Sequence, residues 1–246
     1  MKNIKKLITL LLLFTVTIGF TSCLDDDDNY SAVIGTYRIM EDDHFYFEIE
    51  NNGKIETMYP GDTRKIINRE LPDGQRVIIY YNLLDEKEPG YDYNAEIYGI
   101  EKILTKDIIA ITEAIEDSIG NDPIDIVNSR ISLDKEFIHM SFQYSRSSYS
   151  NIRHMLNMVI PEGEQDPQDE YINLEFRHNG YEDYGRDIAY GLVTFRLKNI
   201  EELMQTKKGV RIKYKSINSG DKEVELPFDE EVSTQPEKRI GVTSIY

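Results

Sequence analysis

One cysteine, no tryptophan and four histidines are all that 246 residues offer of the side chains most used for redox, stacking and metal work. A lone thiol cannot build a disulfide framework within the chain, and it rules out a Cys-based zinc site. The missing indole weighs against a carbohydrate-stacking platform. Positive charge is short as well: 28 Lys and Arg stand against 45 Asp and Glu, a net charge of −17. Three of those lysines fall in the first 22 residues, which hold no acid, so the remainder is more acidic still. Phosphate backbones would be repelled, which disfavours nucleic acid as a partner. No apolar run is long enough to cross a bilayer comfortably, which takes about 20 residues. With 40% hydrophobic and 30% charged residues, the composition is that of a folded body, not of a disordered or multi-span chain.

What is present begins with a leader. Lys2, Lys5 and Lys6 precede the apolar segment 7–20, and Phe20-Thr21-Ser22-Cys23 follows. This is the layout of a secretory signal, and small residues before a lone Cys resemble the lipobox of bacterial lipoproteins. The resemblance implies that Cys23 is acylated and becomes the first residue of the mature protein. Several acyl chains together anchor durably where one is marginal. The expected location is the outer membrane, exposed at the cell surface, with the membrane as partner through the lipid alone. Asp25, Asp26, Asp27 and Asp28 come next. The run reads either as a hydrated tether or as a surface-export signal, which it resembles in the lipoproteins of gut and oral anaerobes. A calcium site there is not expected, since nothing fixes its geometry.

The body reads as β. Val33–Ile39, His44–Glu50 and Lys54–Tyr59 are strands, the last two joined by an Asn52-Gly53 turn. Pro60-Gly61-Asp62 is expected to break the chain. Gln75–Leu83 and Tyr91–Ile100 complete five short strands in about 70 residues, which suits a small OB-type barrel. Beyond Leu104 further strands are expected at Arg130–Asp134, Phe137–Tyr144, His154–Pro161, Tyr171–His178, Ile188–Leu197, Val210–Ile217 and Glu223–Phe228. Such spacing indicates a β-sandwich. In Phe137–Tyr144, Ile138, Met140, Phe142 and Tyr144 share an inner face, while His139, Ser141 and Gln143 share a wet one. Residues 105–119 fit helix and strand periods alike and are assigned to strand and loop. A short helix is expected after Asn199 as cap, ending at Gly209. Residues 161–170 read as a flexible acidic loop. The expected fold class is thus all-β with at most one or two short helices. Its parts are a signal peptide at 1–22, a lipidated acidic tether at 23–32, an OB-like barrel at 33–104 and a β-sandwich at 105–246.

Several stretches resemble the NigD-like family. They are Asp73-Gly74-Gln75-Arg76-Val77-Ile78-Ile79-Tyr80-Tyr81, Gly90-Tyr91-Asp92-Tyr93, Ile103-Leu104-Thr105-Lys106, Ser118-Ile119-Gly120-Asn121-Asp122-Pro123, Leu174-Glu175-Phe176-Arg177-His178-Asn179 and Gly209-Val210-Arg211-Ile212-Lys213-Tyr214. The resemblance implies an N-terminal OB-type domain followed by a β-sandwich on a lipoprotein with an acidic leader. It also implies a tie to bacteriocin immunity, proposed for the family's namesake, but it supplies no mechanism.

Catalytic signatures are absent. His44, His139, His154 and His178 show no HExxH pattern or other metal-ligand spacing, and His178 shares the apolar side of its strand with Ile172, Leu174 and Phe176. Ser132-Leu133-Asp134-Lys135 and Ser219-Gly220-Asp221-Lys222 match SxxK without its companion motifs. Adjacent acids carry no information in so acidic a chain. No catalytic residue, metal or cofactor is therefore expected, and the protein is read as a non-enzyme. Binding is the better prospect, because 17 tyrosines offer rigid contact area with a polar tip. Tyr80, Tyr91, Tyr93 and Tyr98 in the barrel half are the candidate contacts, against the alternative that they fill and rim the barrel. Arg211, Lys213 and Lys215 form a basic stripe, read as a docking patch or as a lysine-guarded edge strand. Asp117-Ser118-Ile119 resembles an O-glycosylation acceptor, making Ser118 a modification candidate. The reading is a surface lipoprotein that binds an unknown protein or peptide, in an immunity-like role. The alternative is a glycan- or nutrient-binding accessory.

Overall fold

A computed structural model describes residues 30–41, 44–64, 71–163 and 165–229. Cys23 and Asp25–Asp28 lie outside them. Among the described residues no helix is long and apolar enough to cross a membrane.

The first half, β1 (Ser31–Ile39), β2 (Phe45–Asn51), β3 (Lys54–Asp62), β4 (Gln75–Leu83) and β5 (Tyr93–Lys102), closes into a five-stranded barrel in the order β1-β2-β3-β5-β4, with β1 pairing both β2 and β4. The β2–β3 hairpin turns on Asn52 and Gly53, whose φ angles of 49° and 73° are those a tight two-residue turn demands. β3 is Lys54–Asp62, so the expected break at Pro60 does not occur. Pairing with β2 has already ended at Met58, so the missing proline N–H leaves that ladder intact, and a register shift at Tyr59/Asp62 absorbs the irregularity against β5 (Tyr93–Lys102). Phe47, Met58, Val77, Ile79, Ala95 and Ile97 fill the barrel.

The second half is a sandwich, as expected. β6 (Leu104–Asp107), β12 (Asp187–Arg196), β9 (Phe137–Arg146) and β8 (Asp125–Ile131) make one sheet. β14 (Gly220–Pro227), β13 (Gly209–Ser216), β11 (Tyr171–Asn179), β10 (Met155–Ile160) and β7 (Ile109–Ala110) make the other. Ile138, Met140, Phe142 and Tyr144 do face the core, against Leu156, Met158, Leu174 and Phe176.

Three local expectations are corrected. α1 (Glu113–Ile119) is a helix where strand and loop were expected. Its Ile115 and Ile119 pack with Ile111 on Val159, an outer-face contact that periodicity alone does not reveal. β8 starts at Asp125, and Ser132–Lys135 is a turn closed by Lys135 N–H donating to the Ser132 carbonyl at 2.9 Å. The helix near Asn199 is a 3₁₀ turn, Lys198–Ile200, continuing into α2 (Glu201–Met204). Asn199 does not cap it, because its amide donates to the Ile108 carbonyl at 3.0 Å, and Gly209 instead opens β13.

The outer face of β9 is not uniformly wet. The barrel covers its first half. Arg76, 2% exposed, donates to Thr36 Oγ1 at 2.7 Å and lies with its guanidinium carbon 5.4 Å from the centre of the Phe137 ring. Arg38 bridges Glu48 within the barrel and Glu136 of the sandwich. Glu50 pairs with Arg130 and lies 3.9 Å from His139 Nε2. Gln75 donates to the Ile103 carbonyl and to Thr105 where the chain passes from one half to the other. Burial pushes His139 down to about 4 against a smaller opposing pull from Glu50. Burial alone would raise Glu50, but the His139 contact and Arg130 hold it at about 2.

Both folded values lie below those of the free groups, about 6.5 for His and 4.3 for Glu. The interface is therefore complete above pH 6.5, weakens as His139 is forced to charge, and weakens further as Glu50 is protonated. The melting temperature of the chain should fall between pH 6.5 and 4, and His139→Gln should make that fall visibly shallower. Identical slopes would show that His139 does not report on the interface.

Candidate functional site

The four barrel tyrosines do not converge. Tyr80 meets Tyr30 edge-on at 5.5 Å, and Tyr30 stacks on Tyr98 at 5.8 Å, on the outside of β4 and β5. Tyr81 turns inward to the barrel core, so alternation sorts the Tyr80-Tyr81 pair as the strand period requires. Tyr91 belongs to a different group with Tyr46 and Tyr59, and its hydroxyl reaches Met40 Sδ. Tyr93 donates to Glu56 Oε2 at 2.7 Å and packs against the barrel core.

Of the basic stripe, Arg211 is answered by acids. β13 lies between β11 and β14, so it is not an edge strand. Arg211 pairs with Asp169 at 2.6 Å and Glu225 at 2.8 Å, and Lys208 pairs with Glu170. Related contacts hold residues 166–170 at the far end of the loop expected to be flexible. The Tyr171 backbone N–H, the Asn173 amide and Arg211 hold Asp169 at about 2, and Lys207 donates to the Asp166 carbonyl at 3.0 Å. Ser118 is exposed in the last turn of α1, its hydroxyl donating to the Ile115 carbonyl. In the first SxxK match, Ser132 is occupied by Asp134 and by the Phe137 N–H within the β8–β9 turn.

The group with most exposed aromatic surface lies at one end of the sandwich. The β9–β10 connection carries Tyr149, 95% exposed, and Ile152. The β11–β12 connection carries Tyr181 and Tyr184, the latter 80% exposed. The second connection folds from its own sequence. Asn179 Oδ1 accepts the Tyr181 N–H at 2.8 Å, the Gly180 carbonyl accepts the Asp183 N–H at 3.0 Å, and Tyr181 and Glu182 adopt φ of 51° and 62°. Asp117, Asp122, Asn179, Tyr181, Glu182 and Tyr184 line a shallow depression beside it, next to Ser118.

Beneath these loops runs a buried polar chain. Asp183 Oδ1 accepts the Ser147 N–H at 2.9 Å, joining the two connections. Asp183 Oδ2 lies 3.0 Å from His154 Nε2, His154 Nδ1 lies 2.8 Å from His178 Nε2, and His178 Nδ1 lies 3.1 Å from the Pro123 carbonyl. Tyr144 covers both imidazoles, at 4.5 and 5.4 Å. His178 did fall on the apolar side of its strand, but its pairing with His154, 24 residues away, has no sequence signal. The tyrosine-bearing loops do: Ser148-Tyr149-Ser150 and Tyr181-Glu182-Asp183-Tyr184-Gly185 are paratope-like in composition, and the reading of barrel tyrosines alone passed them by. An Asp–His contact is half of a hydrolytic triad, but here the next group is a second imidazole and the chain ends on a carbonyl, so the arrangement presents no nucleophile. Among the described residues no cluster of three metal-binding side chains occurs.

Comparison with known proteins agrees with this architecture. The NigD-like N-terminal OB domain model matches residues 34–103, and the NigD-like C-terminal β-sandwich domain model matches residues 107–228. No curated protein matches the chain. Among solved structures, a protein of unknown function from Bacteroides vulgatus is 22% identical with a TM-score of 0.68, covering 84% of this chain and 94% of that one. A NigD-like immunity protein from Bacteroides caccae is 15% identical with a TM-score of 0.57, over 82% and 93%. A Bacteroides fragilis protein with a provisional lipoprotein designation is 13% identical with a TM-score of 0.60, over 81% and 98%. At these identities the likeness is one of fold.

The loops pack closely at Gly185, where a Cβ would overlap the Arg146 carbonyl and the Ser147 nitrogen. Gly185→Ala should therefore cost about 1–3 kcal/mol in denaturant unfolding and speed proteolysis within residues 147–153. A variant as stable and as resistant as the parent would mean that the loops do not pack as described.

Proposed function

This chain belongs to the NigD-like family, and on that premise we propose that it is a non-catalytic lipoprotein that binds a protein or peptide at the cell surface, in an immunity-like role. One observation carries the reading: Tyr149 and Tyr184 stand almost fully exposed on adjoining loops that are pinned from below by a buried hydrogen-bond chain. Large rigid aromatics that contribute nothing to their own core, held on an ordered base, are what a protein-binding surface requires. The solved NigD-like immunity protein and the lipoprotein designation of a second relative of the same fold support the direction. Cys23 supplies the anchor and Asp25–Asp28 the address, so the sandwich end is displayed outside the cell.

Two experiments test this. The immobilised chain, presented in parallel to peptides secreted by competing bacteria and to a polysaccharide array, should retain peptide. Tyr149→Ser with Tyr184→Ser should lose at least about tenfold in affinity with stability within about 0.5 kcal/mol of the parent. Tyr80→Ser on the barrel should bind normally. Retention on polysaccharide alone would instead make the protein a glycan accessory. Separately, Cys23→Ala should shift the chain out of the detergent-soluble membrane fraction, and unchanged partitioning would remove the lipid anchor from the account.

A further inference from the structure

The buried chain beneath the tyrosine loops fixes a proton count. The Pro123 carbonyl can only accept, so His178 Nδ1 carries hydrogen. Asp183 is held ionised, its carboxyl drawn below the usual range by His154 against the cost of burial, with help from the Ser147 N–H and Ser150. His154 Nε2 therefore carries hydrogen as well. The remaining nitrogens, His154 Nδ1 and His178 Nε2, lie 2.8 Å apart and share one more. Three protons sit on two rings, and two neutral imidazoles hold only two. The complete chain is thus a singly positive histidine pair balanced by Asp183, with side chains 5% exposed at His154 and 2% at Asp183.

A second proton has no place in this arrangement. It would set N–H against N–H at the His154–His178 contact and put two positive rings side by side. The ionisable groups facing the pair are Tyr144 from β9 with Arg146 beside it, Asp122 from the segment before β8, and Asp183. Asp183 already balances the first charge, and the pull of the Asp122 carboxylate, which accepts the Gly180 N–H at 2.8 Å, on His178 is outweighed by burial and by the neighbouring His154 ring. We propose that this relay makes the tyrosine-bearing end a proton-controlled surface: one proton on the pair closes the two loops together, and a second releases them. The link is mechanical as well as electrostatic, because Asp183 holds both His154 and the Ser147 N–H of the neighbouring loop. Burial and the positive His154 ring lower His178. An opened loop would return it to about 6.5, so the open fraction should rise by up to about tenfold per pH unit as pH falls below that value.

The use of this control rests on the reading of the surface as a binding site, but the experiment needs no ligand and can fail independently of it. The ¹⁵N-labelled full chain in detergent micelles is titrated. Its ring-nitrogen signals near pH 6 should show one charged and one neutral imidazole at His154 and His178. Hydrogen exchange of peptides covering 147–153 and 180–186, corrected for intrinsic rates, should accelerate at least about threefold from pH 6.5 to 5.5. In His178→Gln that acceleration should vanish. Two neutral rings in the parent protein, or equal pH dependence of loop exchange in parent and variant, would overturn the proposal. The ring measurement decides even where the variant does not fold.

Discussion

Burial of the first half of β9 on both faces is the constraint on which the rest of the molecule depends. Its inner residues Ile138, Met140, Phe142 and Tyr144 form the middle of the sandwich core. Its outer residues Phe137 and His139 are roofed by the barrel, with Arg76 laid over the Phe137 ring. At its far end, Tyr144 covers the histidine pair and Arg146 hydrogen-bonds the Ser147 and Ser150 carbonyls of the connection that displays Tyr149. One strand thus joins the barrel, the core and the candidate binding end. A cation as buried as Arg76 is costly unless compensated. Here a hydroxyl, an aromatic face and the nearby Glu50 carboxylate offset that cost only in part: burial still lowers Arg76 to about 10, and its Nε and Nη2 meet no acceptor among the described residues.

This arrangement separates two jobs. The barrel sits next in sequence to the proposed anchor, and part of its outer wall joins the sandwich. The sandwich end carries the exposed tyrosines on loops whose polar base is satisfied internally. Aromatic side chains held this way lose little entropy on contact, which favours specific over merely sticky binding. Acidity acts at longer range, since a net charge of −17 repels polyanions.

Much of the fold was legible because its signals are local. Asn52-Gly53 demanded a tight turn, Gln75–Leu83 was expected as a strand and is one, and alternation in Phe137–Tyr144 named the core side correctly. What escaped depends on partners distant in sequence. Ile115 and Ile119 form a helix because Val159 offers them a surface. His139 is dry because Glu50, some 90 residues earlier, arrives with the barrel. Pro60 is tolerated because β2 no longer needs its N–H. Of the candidate contacts, Tyr93 and Tyr98 lie on opposite faces of β5 as the strand period requires, whereas the meeting of Tyr80 and Tyr98 on Tyr30, and of Tyr91 with Tyr46 and Tyr59, depends on which strands pair. The histidine pair is invisible for the same reason: only the β10–β11 register brings His154 and His178 together.

The central claim is that barrel and sandwich are one energetic unit joined across Arg76 and Phe137. A double-mutant cycle with Arg76→Met and Phe137→Leu, read by equilibrium denaturation, measures that joint directly. A favourable coupling of about 1–2 kcal/mol is expected for a desolvated cation over an aromatic face. Additivity within about 0.3 kcal/mol would mean that the two halves only touch there, and would contradict the account.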